Sequence, residues 1–154
     1  MMANAKRSAV MVLVLLMLGI GIGGCATTGG GASDAAGPDK VVYHLNAGLD
    51  QATNGLRNIR NHLEVNPKAR IVVVTHALGV DFLMRDKKDA NGNPYEVTVQ
   101  ELKSQGVRFD VCLITLRNRK IDRKDFIEEV TWVPSGVAEV ARLQQREGYA
   151  YLRP

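Results

Sequence analysis

The fold of this chain is indicated first by the segment Ile71-Val72-Val73-Val74-Thr75. Its β-branched side chains favour an extended backbone. The run is apolar on consecutive residues rather than on alternate ones, which is typical of a strand that is covered on both faces of its sheet. The segment therefore predicts an inner strand of a layered α/β domain.

Strands and helices alternate on both sides of this segment. The β-rich run Val41–Leu45 comes first, and an apolar stripe at helical spacing, Ala52, Leu56, Ile59 and Leu63, follows it. Such alternation predicts βαβ units, and hence a three-layer α/β/α sandwich with a mainly parallel sheet of about five strands. The later elements are a helix from an Asn93 cap and Pro94 to Gly106, a strand at 107–113, a short helix capped by Asp122, a strand at 130–133, a helix from Pro134-Ser135 to Gly148, and a strand at 149–152.

The N-terminal segment has the pattern of an export signal. Lys6 and Arg7 precede an apolar run of about 14 residues, which fits a signal peptide and is too short for a permanent membrane-spanning helix. The run ends in Ile22-Gly23-Gly24-Cys25, which resembles the bacterial lipobox. We predict a lipoprotein signal peptide at 1–24 and lipidation of Cys25. A cleaved signal with an incidental cysteine, or an uncleaved anchor, is the alternative.

Residues 25–39 are predicted to be a lipidated flexible linker ahead of a domain at 40–154. The linker is rich in Gly, Ala, Ser and Thr and has no large apolar residue, so it cannot bury enough surface to fold. Ala26 after the lipidated cysteine favours the outer membrane, on the periplasmic side of the envelope. Removal of Lys6 and Arg7 leaves 18 of the 20 basic residues against 16 acidic ones, which gives no basis for nucleic-acid binding.

Candidate functional residues follow three of the predicted strands. Ligands of open parallel sheets bind beyond the carboxyl ends of the strands. Those ends carry His44 and Asn46, then His76, then Cys112. The spacing of Cys and His matches no zinc pattern, so we predict no metal site. We also predict no cofactor.

Cys112 is the main candidate, and two interpretations of it are open. Once Cys25 is lipidated, Cys112 has no disulfide partner within the chain. A cysteine in an aliphatic strand is commonly a small core residue. Alternatively, Arg117 and Arg119 lower its pKa from a loop folded back over it, and the thiolate is reactive.

A family resemblance favours the reactive interpretation. The segment 106–121, GVRFDVCLITLRNRKI, resembles the central segment of the DsrE/DsrF-like family, in which Gly-Val opens a strand and a cysteine follows six residues after the Gly. The opening strand at 40–46 and the C-terminal segments 133–137, 142–144 and 147–152 are similar to those of its secreted members. The resemblance covers residues 40–154.

The resemblance implies a five-stranded α/β/α fold, assembly into small homo-oligomers, and a sulfur relay in which Cys112 accepts sulfur as a persulfide. From their positions in the sequence we predict His76, His44 and Arg117 as supporting residues, although histidines at strand ends are also common as structural residues. Another protein would donate or accept the sulfur. Relay members act in the cytoplasm, whereas a lipid-anchored protein would need other partners. The alternative function is a non-catalytic oligomeric module that binds a small ligand or a partner.

Overall fold

The computed structural model describes residues 37–154. The predicted signal peptide, Cys25 and nearly all of the predicted linker lie outside the described residues. Within residues 37–154, no helix is long and apolar enough to cross a bilayer. The elements are β1 (Lys40–Leu45), α1 (Leu49–Val65), β2 (Arg70–Thr75), a 3₁₀ segment (Ala77–Leu83), α2 (Tyr95–Ser104), β3 (Arg108–Cys112), α3 (Leu113–Arg119), a second 3₁₀ segment (Arg123–Asp125), β4 (Val130–Val133), α4 (Gly136–Glu147) and β5 (Ala150–Leu152).

The five strands form one sheet in the order β4-β3-β2-β1-β5. Each neighbouring pair is parallel. The segment from Ile71 to Thr75 lies in the central strand and is buried, as its sequence predicts. The three-layer α/β prediction is confirmed, and all the carboxyl ends of the strands meet at one edge.

The two faces of the sheet are covered unequally. On one face, α1 and α2 pack on alternate strand residues such as Val73 and Phe109, and this cluster contains most of the core. On the other face, α4 places Val140 and Leu143 against Val42, Val72 and Val74. The second cluster is small, so part of that face is left for polar side chains.

An ion-pair network also connects the sheet to α4. Arg108 donates to the carboxylate of Asp110 two residues further along β3 at 2.9 Å and to that of Glu139 on α4 at 3.0 Å. The side chain of Asp110 is fully buried. Burial raises its pKa, although the guanidinium of Arg108 acts in the opposite direction. Removing one partner of such a buried pair is costly, because the other charge stays unpaired.

Two details of the sequence interpretation were wrong. The third strand ends at Cys112, and the next residues form α3 instead of a loop, because Thr115 and Leu116 are buried on one side of it. Helix α2 begins at Tyr95 with Pro94 as its cap. Asn93 does not cap it, because its side chain donates to Asp89 within the preceding turn.

The first 3₁₀ segment was not predicted, and it depends on a close backbone approach at Gly79. A β-carbon at this position would lie 2.1 Å from the carbonyl oxygen of Leu45, at the end of β1. No other residue type fits there without a shift of the backbone. The segment therefore lies directly on the carboxyl edge of the sheet, next to His76.

Candidate thiol site

Four side chains cross one face of the sheet in a line. The register pairs Tyr151 of β5 with Val42 of β1, and His44 of β1 with Val74 of β2. His44 lies two residues after Val42, and His76 lies two residues after Val74. Side chains two apart in a strand point to the same face, so Tyr151, His44 and His76 share one face. Cys112 follows in β3, because the pairing of Thr75 with Val111 brings the next residues of the two strands side by side. The line runs over four adjacent strands, towards the carboxyl edge of the sheet.

Cys112 ends β3 and precedes α3, at a cleft of about 290 Å³. Only 4% of the residue is exposed, yet its surroundings are not a sealed aliphatic layer. The cleft is also lined by His76, Ala77, Ile114, Thr115, Asn118, Arg119, Ser135 and Val137. The thiol thus lies at the base of an open cleft that has polar and apolar walls.

The surroundings of Cys112 favour its thiolate. Burial raises the pKa of the thiol, but hydrogen bonds outweigh it, and the net pKa lies below the ordinary value. The donors are the backbone N–H groups of Gly136, Thr115 and Ile114 and the hydroxyl of Thr115. Hydrogen bonds to the charged form stabilise that form, so the thiolate is more populated than in a free cysteine.

Gly136, the first residue of α4, packs closely against the residues around the thiol. A β-carbon on it would lie 3.3 Å from the β-carbon of Cys112, 3.3 Å from that of His76 and 3.1 Å from the carbonyl oxygen of Thr75. Such contacts are tighter than ordinary van der Waals contact. The missing side chain therefore lets the backbone N–H of α4 approach the sulfur.

The two predicted histidines meet, and a third side chain joins them. Nε2 of His44 lies 2.7 Å from Nε2 of His76, and Nδ1 of His44 lies 2.8 Å from the hydroxyl of Tyr151. Burial, His76 and the charge of Arg153 lower the pKa of His44 to about 4. Burial and Arg153 also lower the pKa of His76. Both imidazoles are therefore neutral at neutral pH.

The two arginines suggested to act on Cys112 are placed differently by α3. Arg119 lines the cleft, and it donates to the carbonyl oxygen of Ala77 at 2.9 Å and to Asp81 at 2.6 Å. Arg117 is exposed and is not among the lining residues. The predicted support from Arg117 assumed that a loop follows Cys112. In a helix, side chains two positions apart, such as those of Arg117 and Arg119, point about 200° apart. The lowered pKa of Cys112 comes from N–H and O–H donors instead.

Three site residues were missed in the sequence: Thr115, Gly136 and Tyr151. Gly136 had a usable signal, because a helix start directly after a strand places backbone N–H groups at the carboxyl edge. Asn46 lies at this edge too, where its side chain accepts a bond from Arg153. Within residues 37–154, no three His, Cys, Asp or Glu side chains cluster as metal ligands would.

These features define a class: a three-layer α/β protein with a parallel five-stranded sheet and one thiol at its carboxyl edge. The DsrE/DsrF-like family model matches residues 39–154. The chain belongs to the DsrE/DsrF-like family.

Solved structures agree with this assignment. The protein of unknown function MTH1491 from Methanobacterium thermoautotrophicum is 38% identical, with a TM-score of 0.67 over 75% of this chain and 99% of that one. The YchN protein of E. coli is 18% identical, with a TM-score of 0.64 over 75% of this chain and 99% of that one. At this identity the match supports only a shared fold. No curated protein sequence matches.

We predict that Thr115→Val raises the pKa of Cys112, because one donor to the thiolate is removed while the backbone donors remain. Thr115→Ser keeps the hydroxyl and should leave the pKa near that of the wild type. The ultraviolet absorbance of the thiolate, followed against pH with Cys112→Ser as the blank, measures both. An unchanged pKa in Thr115→Val would show that the hydroxyl does not stabilise the thiolate.

Proposed function

We propose that this protein handles sulfur through a persulfide on Cys112. The observation that carries the proposal is the thiol at the base of an open cleft, with N–H and O–H donors that favour its thiolate. A thiolate is the form of cysteine that attacks sulfur. Membership of the DsrE/DsrF-like family, which is associated with sulfur relay, supports the same chemistry.

In the proposed reaction, the Cys112 thiolate attacks the outer sulfur of a donor of the type R–S–SH. A new S–S bond forms on Cys112 and the S–S bond of the donor breaks. The donor leaves as R–S⁻ and takes up one proton. Cys112 then carries the persulfide, and a second thiol removes the outer sulfur in the same manner. The transfer needs no external oxidant or reductant.

Docking of a protein donor, an acceptor or a second copy of this chain is proposed at the mouth of the cleft. Ile114 and Val137 line the cleft and are exposed, and Leu78 is exposed on the adjoining 3₁₀ segment. Apolar side chains around a reactive group supply a surface that a partner would cover. They support the homo-oligomer and the partner that the resemblance implies.

We also propose that the domain is tethered to the cell envelope through lipid on Cys25. The support is the sequence alone: the short apolar run and the Ile22-Gly23-Gly24-Cys25 motif. Several acyl chains would hold the protein stably where a single chain would not. Ala26 favours the outer membrane, with the domain in the periplasm.

A second candidate function is a non-catalytic oligomeric module that binds a small ligand or a partner. The observation that favours it is the low exposure of Cys112, since a buried cysteine is commonly a packing residue. This function requires that Cys112→Ala keeps the fold, the assembly and the cellular phenotype.

The sulfur proposal predicts a mass increase of one or more sulfur atoms on the wild type after incubation with polysulfide. Cys112→Ser should lack the adduct on this residue, because serine cannot form a persulfide, and any sulfur that this variant still gains measures the reaction of Cys25. Intact-mass spectrometry of the full chain measures both, and a reductant should remove the adduct. A folded wild type that gains no sulfur would contradict the proposal and favour the binding module.

The anchor proposal predicts that cells fed a fatty-acid probe label the wild type and not Cys25→Ser. Cys112→Ser is the matched control, and it should be labelled like the wild type because its motif is intact. Equal labelling of the wild type and Cys25→Ser would remove the lipid anchor from the account.

A further inference from the structure

Three of the four side chains in the line, Tyr151, His44 and His76, are also joined by hydrogen bonds. The Tyr151 hydroxyl bonds Nδ1 of His44, and Nε2 of His44 bonds Nε2 of His76. Within residues 37–154, no hydrogen bond occupies Nδ1 of His76, the remaining ring nitrogen. His76 and Cys112 line the same cleft. One end of this hydrogen-bonded series therefore lies in the same cleft as the thiol.

The other end of the chain adjoins solvent. Tyr151 lies on the edge strand β5, and 41% of the residue is exposed. His44 and His76 are half-buried between Tyr151 and the cleft. A proton that enters at the hydroxyl thus has a connected path to His76 that does not pass through the mouth of the cleft.

The protonation state suits such a path. Two nitrogens at 2.7 Å share one proton, so one imidazole donates and the other accepts. Both rings are neutral at neutral pH, since burial and the nearby Arg153 disfavour the imidazolium. Two arrangements satisfy every bond. Tyr151 donates inwards and His76 holds its proton on Nδ1, or every bond is reversed and Nδ1 of His76 is free to accept.

We propose that Tyr151, His44 and His76 form a proton relay that protonates the leaving sulfur during reactions at Cys112. When a donor S–S bond breaks, Nδ1–H of His76 gives its proton to the departing thiolate. Nε2–H of His44 passes a proton to His76, the Tyr151 hydroxyl passes one to His44, and water restores the hydroxyl. One proton enters from solvent and one leaves on the sulfur.

The same relay can also accept a proton in the second half of the reaction. After the first transfer every bond points outwards, so Nδ1 of His76 is an acceptor. It takes the proton of the thiol that next attacks the persulfide on Cys112, and the relay returns to its first arrangement. His76 touches the reacting groups in this scheme, whereas His44 and Tyr151 are positioning residues that act through it.

The relay rests on the proposed reactivity of Cys112. Two disulfide probes whose leaving thiolates differ in pKa can test the relay separately from that reactivity. An aromatic disulfide (dithiobis-nitrobenzoate) releases a thiolate of low pKa that needs no proton, whereas hydroxyethyl disulfide releases an alkyl thiolate that does. Reaction of the full chain with each is followed by absorbance or by intact mass. Cys112→Ser gives the background, including any reaction of Cys25.

We expect Tyr151→Phe and His44→Phe to slow the reaction with hydroxyethyl disulfide by about tenfold or more, since general acids contribute about 10²–10⁴-fold. The reaction with the aromatic disulfide should stay within about twofold, which also shows that the cleft is folded. His62→Gln is the matched control. It removes the third histidine, whose Nδ1 contacts the Tyr43 hydroxyl outside the relay, and both rates should be unchanged.

Three results would overturn the relay. Equal slowing with both disulfides would mean that Tyr151 and His44 only stabilise the attacking thiolate and do not protonate the leaving sulfur. Unchanged rates with both would mean that water protonates the leaving sulfur directly. A wild-type Cys112 that reacts with neither would remove the proposed function as well. A Cys112 that shows the expected leaving-group dependence but takes no sulfur from polysulfide would leave the relay standing without the sulfur function.

Discussion

The site depends on the approach of backbone N–H groups to the sulfur of Cys112. A thiol with 4% exposure would ordinarily be a weak acid, because burial disfavours its charged form. Here the N–H groups of Gly136, Thr115 and Ile114 and the Thr115 hydroxyl reverse that effect. The same cysteine can therefore be well packed and chemically competent. The proposed sulfur function and the relay both assume this thiolate.

The position of those donors is fixed by the second face of the sheet. Helix α4 covers that face with a small apolar cluster, so packing holds it less strongly than it holds α1 on the other face. The ion pairs of Arg108 with Asp110 and Glu139 connect α4 to β3 a few residues before Cys112. A change in this network would move Gly136 relative to the sulfur. The buried charges thus support the site without contacting it.

Much of the fold was predictable from the sequence, because the spacing of apolar residues along a strand or helix indicates which of its faces are buried. The run at Ile71–Thr75 indicated a strand covered on both faces, and the stripe of α1 indicated its buried side. Helix α3 was not predictable, because a strand followed by Leu-Ile-Thr-Leu has no breaker that would mark the strand's end. Tertiary burial of Thr115 and Leu116 decides the outcome there.

The candidate site was predictable only in part. Topology places His44, His76 and Cys112 at one edge, since parallel strands share their carboxyl ends. The partners that set their chemistry come from contacts between segments distant in sequence, as Tyr151 shows with His44. Arg117 and Arg119 differ by two residues, and only a known helical phase tells which of them lines the cleft.

The function and the relay both require that the folded protein holds Cys112 as a reachable, stabilised thiolate. The most direct test is the rate of alkylation of Cys112 in the wild type as a function of pH, followed by mass spectrometry of the labelled peptide. We expect a midpoint below that of the same cysteine in the unfolded chain, because the nearby N–H and O–H groups stabilise the thiolate. A higher midpoint, or a thiol that is alkylated only after unfolding, would contradict it.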